Sequence, residues 1–305
     1  MFRRIKSSLR SSSTRKGRFL NRLHRSVVLE PLEDRRLLAV FHVALTGSDA
    51  NTGGVADPFR TIQAGINAAA VANDGADTVN VAGGDYNTLG TDEGITIPND
   101  AELDNLSILG GFNAAFTVRD TFATPTNYTP SAAAAFVTIN DSDTTIDGIS
   151  FDFVNSTTPA RGIDFTTANG VTLSDLSVTN APNDGIGGSA VSGLVLDRVD
   201  SSNNALRGLN TSNLTGTTTV LSSTFSNNGS NGAIVDGTAG SSLLLDVNDT
   251  ASGNTGAQFF FRDFRRRDRP GHGGRRYAGH RLYGRYSSRP GTTIYLRGSA
   301  GRLHV

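Results

Sequence analysis

Four charged residues, Asp175, Asp197, Arg198 and Asp200, form the one grouping in the centre of the chain whose types could do chemistry. Elimination chemistry needs a cationic base and commonly a Ca²⁺ held by carboxylates, and these residues are the nearest approach to that set. General acid–base hydrolysis needs two carboxyl groups about 5 Å or about 6.5–9.5 Å apart, and no convincing pair is visible. Asp175 and Arg198 are separated by 23 residues. In a 23-residue repeat they would be stacked neighbours, and an exposed ion-pair ladder accounts for them without catalysis. Asp49 and Asp57, in a turn-rich stretch, are the candidate Ca²⁺ carboxylates, with solvated turn residues as the plainer reading. His42 is the only histidine between residues 39 and 261 and reads as structural. Phosphate loops, dinucleotide fingerprints, nucleophile elbows and metal-binding helices are absent. With no cysteine, thiolate sites and disulfides are excluded.

The elements that must position these residues follow from a repeat. Glycine recurs at 162, 185, 208, 232 and 256, in steps of 23, 23, 24 and 24. Leu173, Leu196, Leu221 and Leu245 keep the same beat and open short β-branched runs, too brief for helices. Strands of four or five residues that return every 23–24 residues cannot each bury a face alone, so stacking them into a solenoid is the stable solution. Asn180, Asn203 and Asn228 are then expected one above another, about 4.8 Å apart, as bends whose amides bond from coil to coil.

This pattern resembles the right-handed parallel β-helix of the pectate-lyase-like superfamily over residues 40–261. The front end is similar too: residues 47–53 (GSDANTG), 57–69 (DPFRTIQAGINAA) and 77–86 (DTVNVAGGDY). Asp57 is expected to cap a helix with Pro58 in its first turn and Phe59, Ile62, Ile66, Ala69 and Ala70 on one face, plugging the open end of the solenoid. Ile95–Ile97, Leu106–Ile108 and Val137–Ile139 are early coils, with a long excursion over residues 110–135. The expected fold class is therefore all-β, a parallel β-helix solenoid with a short N-terminal capping helix. The resemblance implies acidic polysaccharides as substrates where such proteins are enzymes. The hydrolase branch carries an Asn-Thr-Asp strand, a paired Asp one coil on and Gly-His-Gly a coil further. Asn183 and Asp184 resemble the first, Leu206 and Arg207 stand where the paired Asp should be, and Gly271-His272-Gly273 lies beyond the repeat. Asp184-Gly185-Ile186 reads better as the bend that begins an inner strand.

The formal net charge of zero conceals three segments: residues 1–38 carry +8, residues 39–261 carry −18 and residues 262–305 carry +10. Residues 1–39 form a basic segment without the apolar stretch of an ordinary signal peptide. Within it, residues 29–39 (LEPLEDRRLLA) resemble the short N-terminal sorting region of exported planctomycete proteins, which implies an extracellular or cell-surface destination. Residues 262–305 contain 12 arginines and no asparagine, and the repeat stops there. A basic polyanion-binding tail, a disordered tail and a shifted reading frame in G+C-rich DNA all stand open. No apolar run reaches the roughly 18–20 residues of a membrane helix. The resulting expectation is an exported β-helix protein with a structural, adhesive or glycan-binding role, no catalysis and no cofactor beyond Ca²⁺. Its expected partners are extracellular polysaccharide or cell-surface components rather than nucleic acid. The alternative is a polysaccharide lyase or glycoside hydrolase.

Overall fold

Strands that return at a fixed period can pair in parallel only if the chain comes round between them, and the computed structural model shows that path. It describes residues 38–72, 75–87, 94–130, 136–238, 240–246, 248–262, 293–298 and 301–304. Two sheets wind together, one of 13 strands and one of seven. Every pairing between strands is parallel except that of Thr293–Gly298 with Gly301–His304. The export segment falls outside the described residues apart from its last two, as does Gly271-His272-Gly273. Within 262–305, Thr293–Gly298 adds in parallel to Ser242–Asp246.

Alternation builds the core. On the larger sheet Val79, Ile108, Ile146, Leu173, Leu196, Val220 and Leu245 stand in register from coil to coil, and all are buried. On the smaller one Ile95, Val137, Ile163, Ile186, Leu209 and Ala233 do the same. Aromatic rings fill the third corner, with Phe151 and Phe153 stacked at 6.4 Å and Tyr128 edge-on to Phe151 at 5.7 Å.

The leucine stack departs from the expected one at a single step. Ser192 bridges Thr215 after 23 residues, but Val195 pairs with Thr219 after 24. One extra residue between Thr215 and Thr219 shifts everything that follows, and a one-residue shift exchanges the two faces of a strand. Val220 therefore enters the stack, and Leu221 points outward beside Asp197. The same insertion divides the asparagines into two rows. Asn180, Asn203 and Asn227 hold the left-handed bend, at φ 57°, 58° and 56°. Asn228 belongs to the buried row beside it: the amide of Ala181 donates to Asn204 Oδ1 at 3.0 Å, that of Asn204 to Asn228 Oδ1 at 2.9 Å, and that of Asn228 to Asn254 Oδ1 at 2.8 Å.

A helix, Ile62–Ala72, packs on the first two strands, Val40–Val43 and Thr78–Ala82, and buries Ile62, Ile66 and Ala69. It begins later than expected. The amide of Ala44 donates to the carbonyl of Phe59 and that of Phe59 to His42, which holds residues 57–60 extended against the first strand. Thr61 caps the helix instead, its hydroxyl accepting from the amide of Ala64 at 3.1 Å.

Candidate functional site

The larger sheet turns a corner once per coil, and each turn uses one residue with left-handed backbone: Gly148, Asp175, Arg198 and Ser222, at φ 73°, 47°, 55° and 50°. A side chain at such a corner is thrown outward. Asp175 and Arg198 thus stand one above the other, with Nε 2.5 Å from Oδ1 and Nη2 2.7 Å from Oδ2. Arg198 Nη1 also reaches Asp197 Oδ2 on its own coil at 2.6 Å. Three of the four sequence-selected residues are therefore brought together. Asp200 lies past the corner, in register with Ser177 and Thr224, and accepts the hydroxyl of Ser202.

The row continues backward through residues that carry no periodic signal. Arg119 projects from the excursion between Ser107–Phe112 and Thr126–Thr129, donates from Nε to the carbonyl of Gly110 at 2.8 Å and pairs with Asp147. Ser174 donates to the other oxygen of Asp147. The excursion is tied down by its own side chains. Asn113 Oδ1 accepts from the amides of Thr117 and Val118, and Asp120 Oδ1 from those of Phe122 and Ala123. Only glycine fits at 148, because a Cβ there would lie 2.5 Å from Thr121 Cγ2 in an already left-handed backbone.

The bidentate hydrogen bond from Arg198 holds Asp175 below the usual carboxylate range, and the same contact raises Arg198 further above its own. Neither exchanges a proton near neutrality. The side chains are also open to water, 52% exposed for Arg198 and 35% for Asp175. The corner is a row of mutually satisfied charges on an open surface rather than a desolvated acid–base pair.

A second cluster escaped the sequence reading, although its signal was present. The residues before the repeat glycines at 162, 185 and 208 are Arg161, Asp184 and Arg207. Asp184, 3% exposed at its side chain, sits between the two arginines of the coils on either side, at 3.5 Å from Arg161 Nε and 3.2 Å from Arg207 Nη1. Asn210 Nδ2 adds a bond at 2.8 Å. The Asp-Gly-Ile bend is therefore also an ion-pair stack. Arg119 could not have been found this way, because the excursion lies outside the period.

The Ca²⁺ candidates are otherwise engaged. Asp49 Oδ1 accepts from the amides of Arg60 and Thr61, both at 2.9 Å, and its Oδ2 from the hydroxyl of Thr61 at 3.0 Å. Asp57 Oδ2 accepts the hydroxyl of Thr52 at 2.7 Å, which holds its carboxyl below the usual range. Both carboxylates organise the turn and helix start. Among the described residues no group of three or more His, Asp or Glu is placed to hold a metal ion, so the residues present do not fit the Ca²⁺ that the resemblance implies. His42 is buried, with Nδ1 3.2 Å from the carbonyl oxygen of Gly53 and its ring edge-on to Phe116 at 4.6 Å.

No family model and no curated protein matches the sequence. Solved structures do resemble it. A rhamnogalacturonan lyase superposes with a TM-score of 0.50 at 12% identity, covering 74% of this chain and 73% of that one. The fold is the parallel β-helix. A pectate lyase, Pel9A, gives 0.37 at 14% identity over 73% of this chain and 74% of that one, and the catalytic domain of an α-1,3-glucanase gives 0.37 at 15% over 61% and 35%. At these identities the likeness concerns the fold alone. No helix among the described residues is long and apolar enough to cross a membrane.

Proposed function

We propose that this β-helix is an exported or cell-surface protein that binds polysaccharide and does not cleave it. The observation that carries the reading is the corner row, in which Arg198 is held by Asp175 and Asp197 and Arg119 by Asp147. A catalytic arginine or carboxylate must be free to meet substrate and, for acid–base work, to change protonation. The Arg198–Asp175 pair spends its charge internally. An extended solenoid offers a long surface for a polymer through many weak contacts. The export-like residues 29–39 support the location, and the lyase named above, on the same fold, supports the ligand class.

The test is to incubate the full chain with a panel of soluble and insoluble polysaccharides, scoring retention by affinity electrophoresis or pull-down and scoring turnover by new reducing ends and unsaturated products. Retention without products is expected. Product formation abolished by Arg198→Ala would instead make this a polysaccharide-cleaving enzyme.

A further inference from the structure

If a glycan is the ligand, the charges of the central domain restrict which glycan, and this inference rests on that reading. Every arginine between residues 38 and 260 is already engaged. Arg60 donates to the carbonyl of Leu45, Arg119 to Gly110 and Asp147, Arg161 to Asp164 and Asp184, Arg198 to Asp175 and Asp197, and Arg207 to Asp184. This segment contains no lysine, and its one histidine is buried. An acidic polymer would have to displace a carboxylate from each arginine it met, on a domain with a formal charge of −18 over residues 39–261.

What the surface does offer is a row of hydrogen-bonding side chains. Past the corner of the larger sheet, Asp85, Asn127, Ser150, Ser177, Asp200 and Thr224 succeed one another in register, one per coil, and all are exposed or half-buried. They repeat at the spacing of paired strands, about 4.8 Å. The carboxylates here have neutral partners: Asn127 Nδ2 donates to Asp85 Oδ1 at 2.7 Å, and the hydroxyl of Ser202 to Asp200. Carboxylates and amides of this kind accept from and donate to sugar hydroxyls, and they repel uronates. We infer that this row binds a neutral polysaccharide, extended across the strands along the solenoid axis, and that polyuronates are excluded.

The experiment uses the full chain in affinity electrophoresis against neutral glucans, mannans and xylans and against polygalacturonate, each with EDTA and with Ca²⁺. Retention by at least one neutral polymer, insensitive to salt, and none by polygalacturonate in either buffer are expected. Ser150→Ala/Ser177→Ala should weaken that retention about tenfold by removing two hydrogen bonds, while Thr138→Ala, facing outward on the smaller sheet, should leave it unchanged. Polygalacturonate retained as strongly as any neutral polymer, with or without Ca²⁺, overturns the inference and leaves polysaccharide binding standing. Retention by no polymer brings down both. Neutral binding equal in the double variant and wild type removes the row as the site.

Discussion

Arg198 grips Asp175 from the next coil through two contacts, at 2.5 and 2.7 Å, and both residues hold left-handed backbone. That backbone costs a non-glycine residue about 1–2 kcal/mol, whereas an exposed ion pair returns about 0–1 kcal/mol. Arg198→Gly should therefore unfold within about 1 kcal/mol of wild type, and Arg198→Ala should be less stable than Arg198→Gly by about 1 kcal/mol. Urea midpoints of the two variants measure the difference. In either variant the carboxyl of Asp175 should titrate higher than in wild type, read by NMR, because the contact that lowers it is gone.

The asparagine row carries more weight than the bend beside it. Asn228 is 1% exposed, accepts from the amide of Asn204 at 2.9 Å and donates to the carbonyl of Ser201 at 3.2 Å. Asn228→Ala strands both groups away from water, and each costs about 1–3 kcal/mol. Asn203→Gly, which keeps a left-handed position, should lie within about 1 kcal/mol of wild type. Equal losses in thermal denaturation of the two variants would refute the division into two rows.

Asp184 is the counter-charge for two arginines at once. Removing one partner of a buried pair costs about 3–5 kcal/mol, and because both arginines reach water the loss for Asp184→Ala should be nearer about 2 kcal/mol. Raising the salt concentration should change the wild-type value little, since the carboxylate is enclosed. A surface-like loss, below about 0.5 kcal/mol, would mean the stack holds nothing together.

Asp141 sets a pH dependence. It is 1% exposed, neither carboxylate oxygen completes a hydrogen bond, and Asp100 and Asp104 face it. Burial raises its carboxyl from 3.8 to about 6, outweighing the amides of Ser142 and Asp100, which favour the anion. Between those values the folded protein binds more protons than the unfolded chain, so stability falls as pH rises through that window and levels off above it. Each pH unit in it is worth about 1.4 kcal/mol. Asp141→Asn should match wild type near pH 3 and exceed it by about 2–3 kcal/mol at pH 7. Parallel curves for the two proteins across this range would show that Asp141 does not carry the effect.

The sequence by itself determined the architecture, because a solenoid is a local rule repeated. Glycines at 162, 185, 208, 232 and 256 and alternating apolar residues state the coil length and the inward face without any knowledge of distant contacts. Asp175 and Arg198 were legible as partners for the same reason: no insertion lies between them, and strand pairing follows the 23-residue step. Tertiary structure decided whatever lay off the beat. A single added residue between Thr215 and Thr219 placed Val220 rather than Leu221 in the core and sent Asn227 and Asn228 to different rows, since one residue reverses the faces of a strand. Folding of the excursion back onto the corner gave Asp147 its arginine. Burial, which no spacing reports, made Asp184 the centre of an ion-pair stack and left Asp141 without a hydrogen-bond partner for either oxygen.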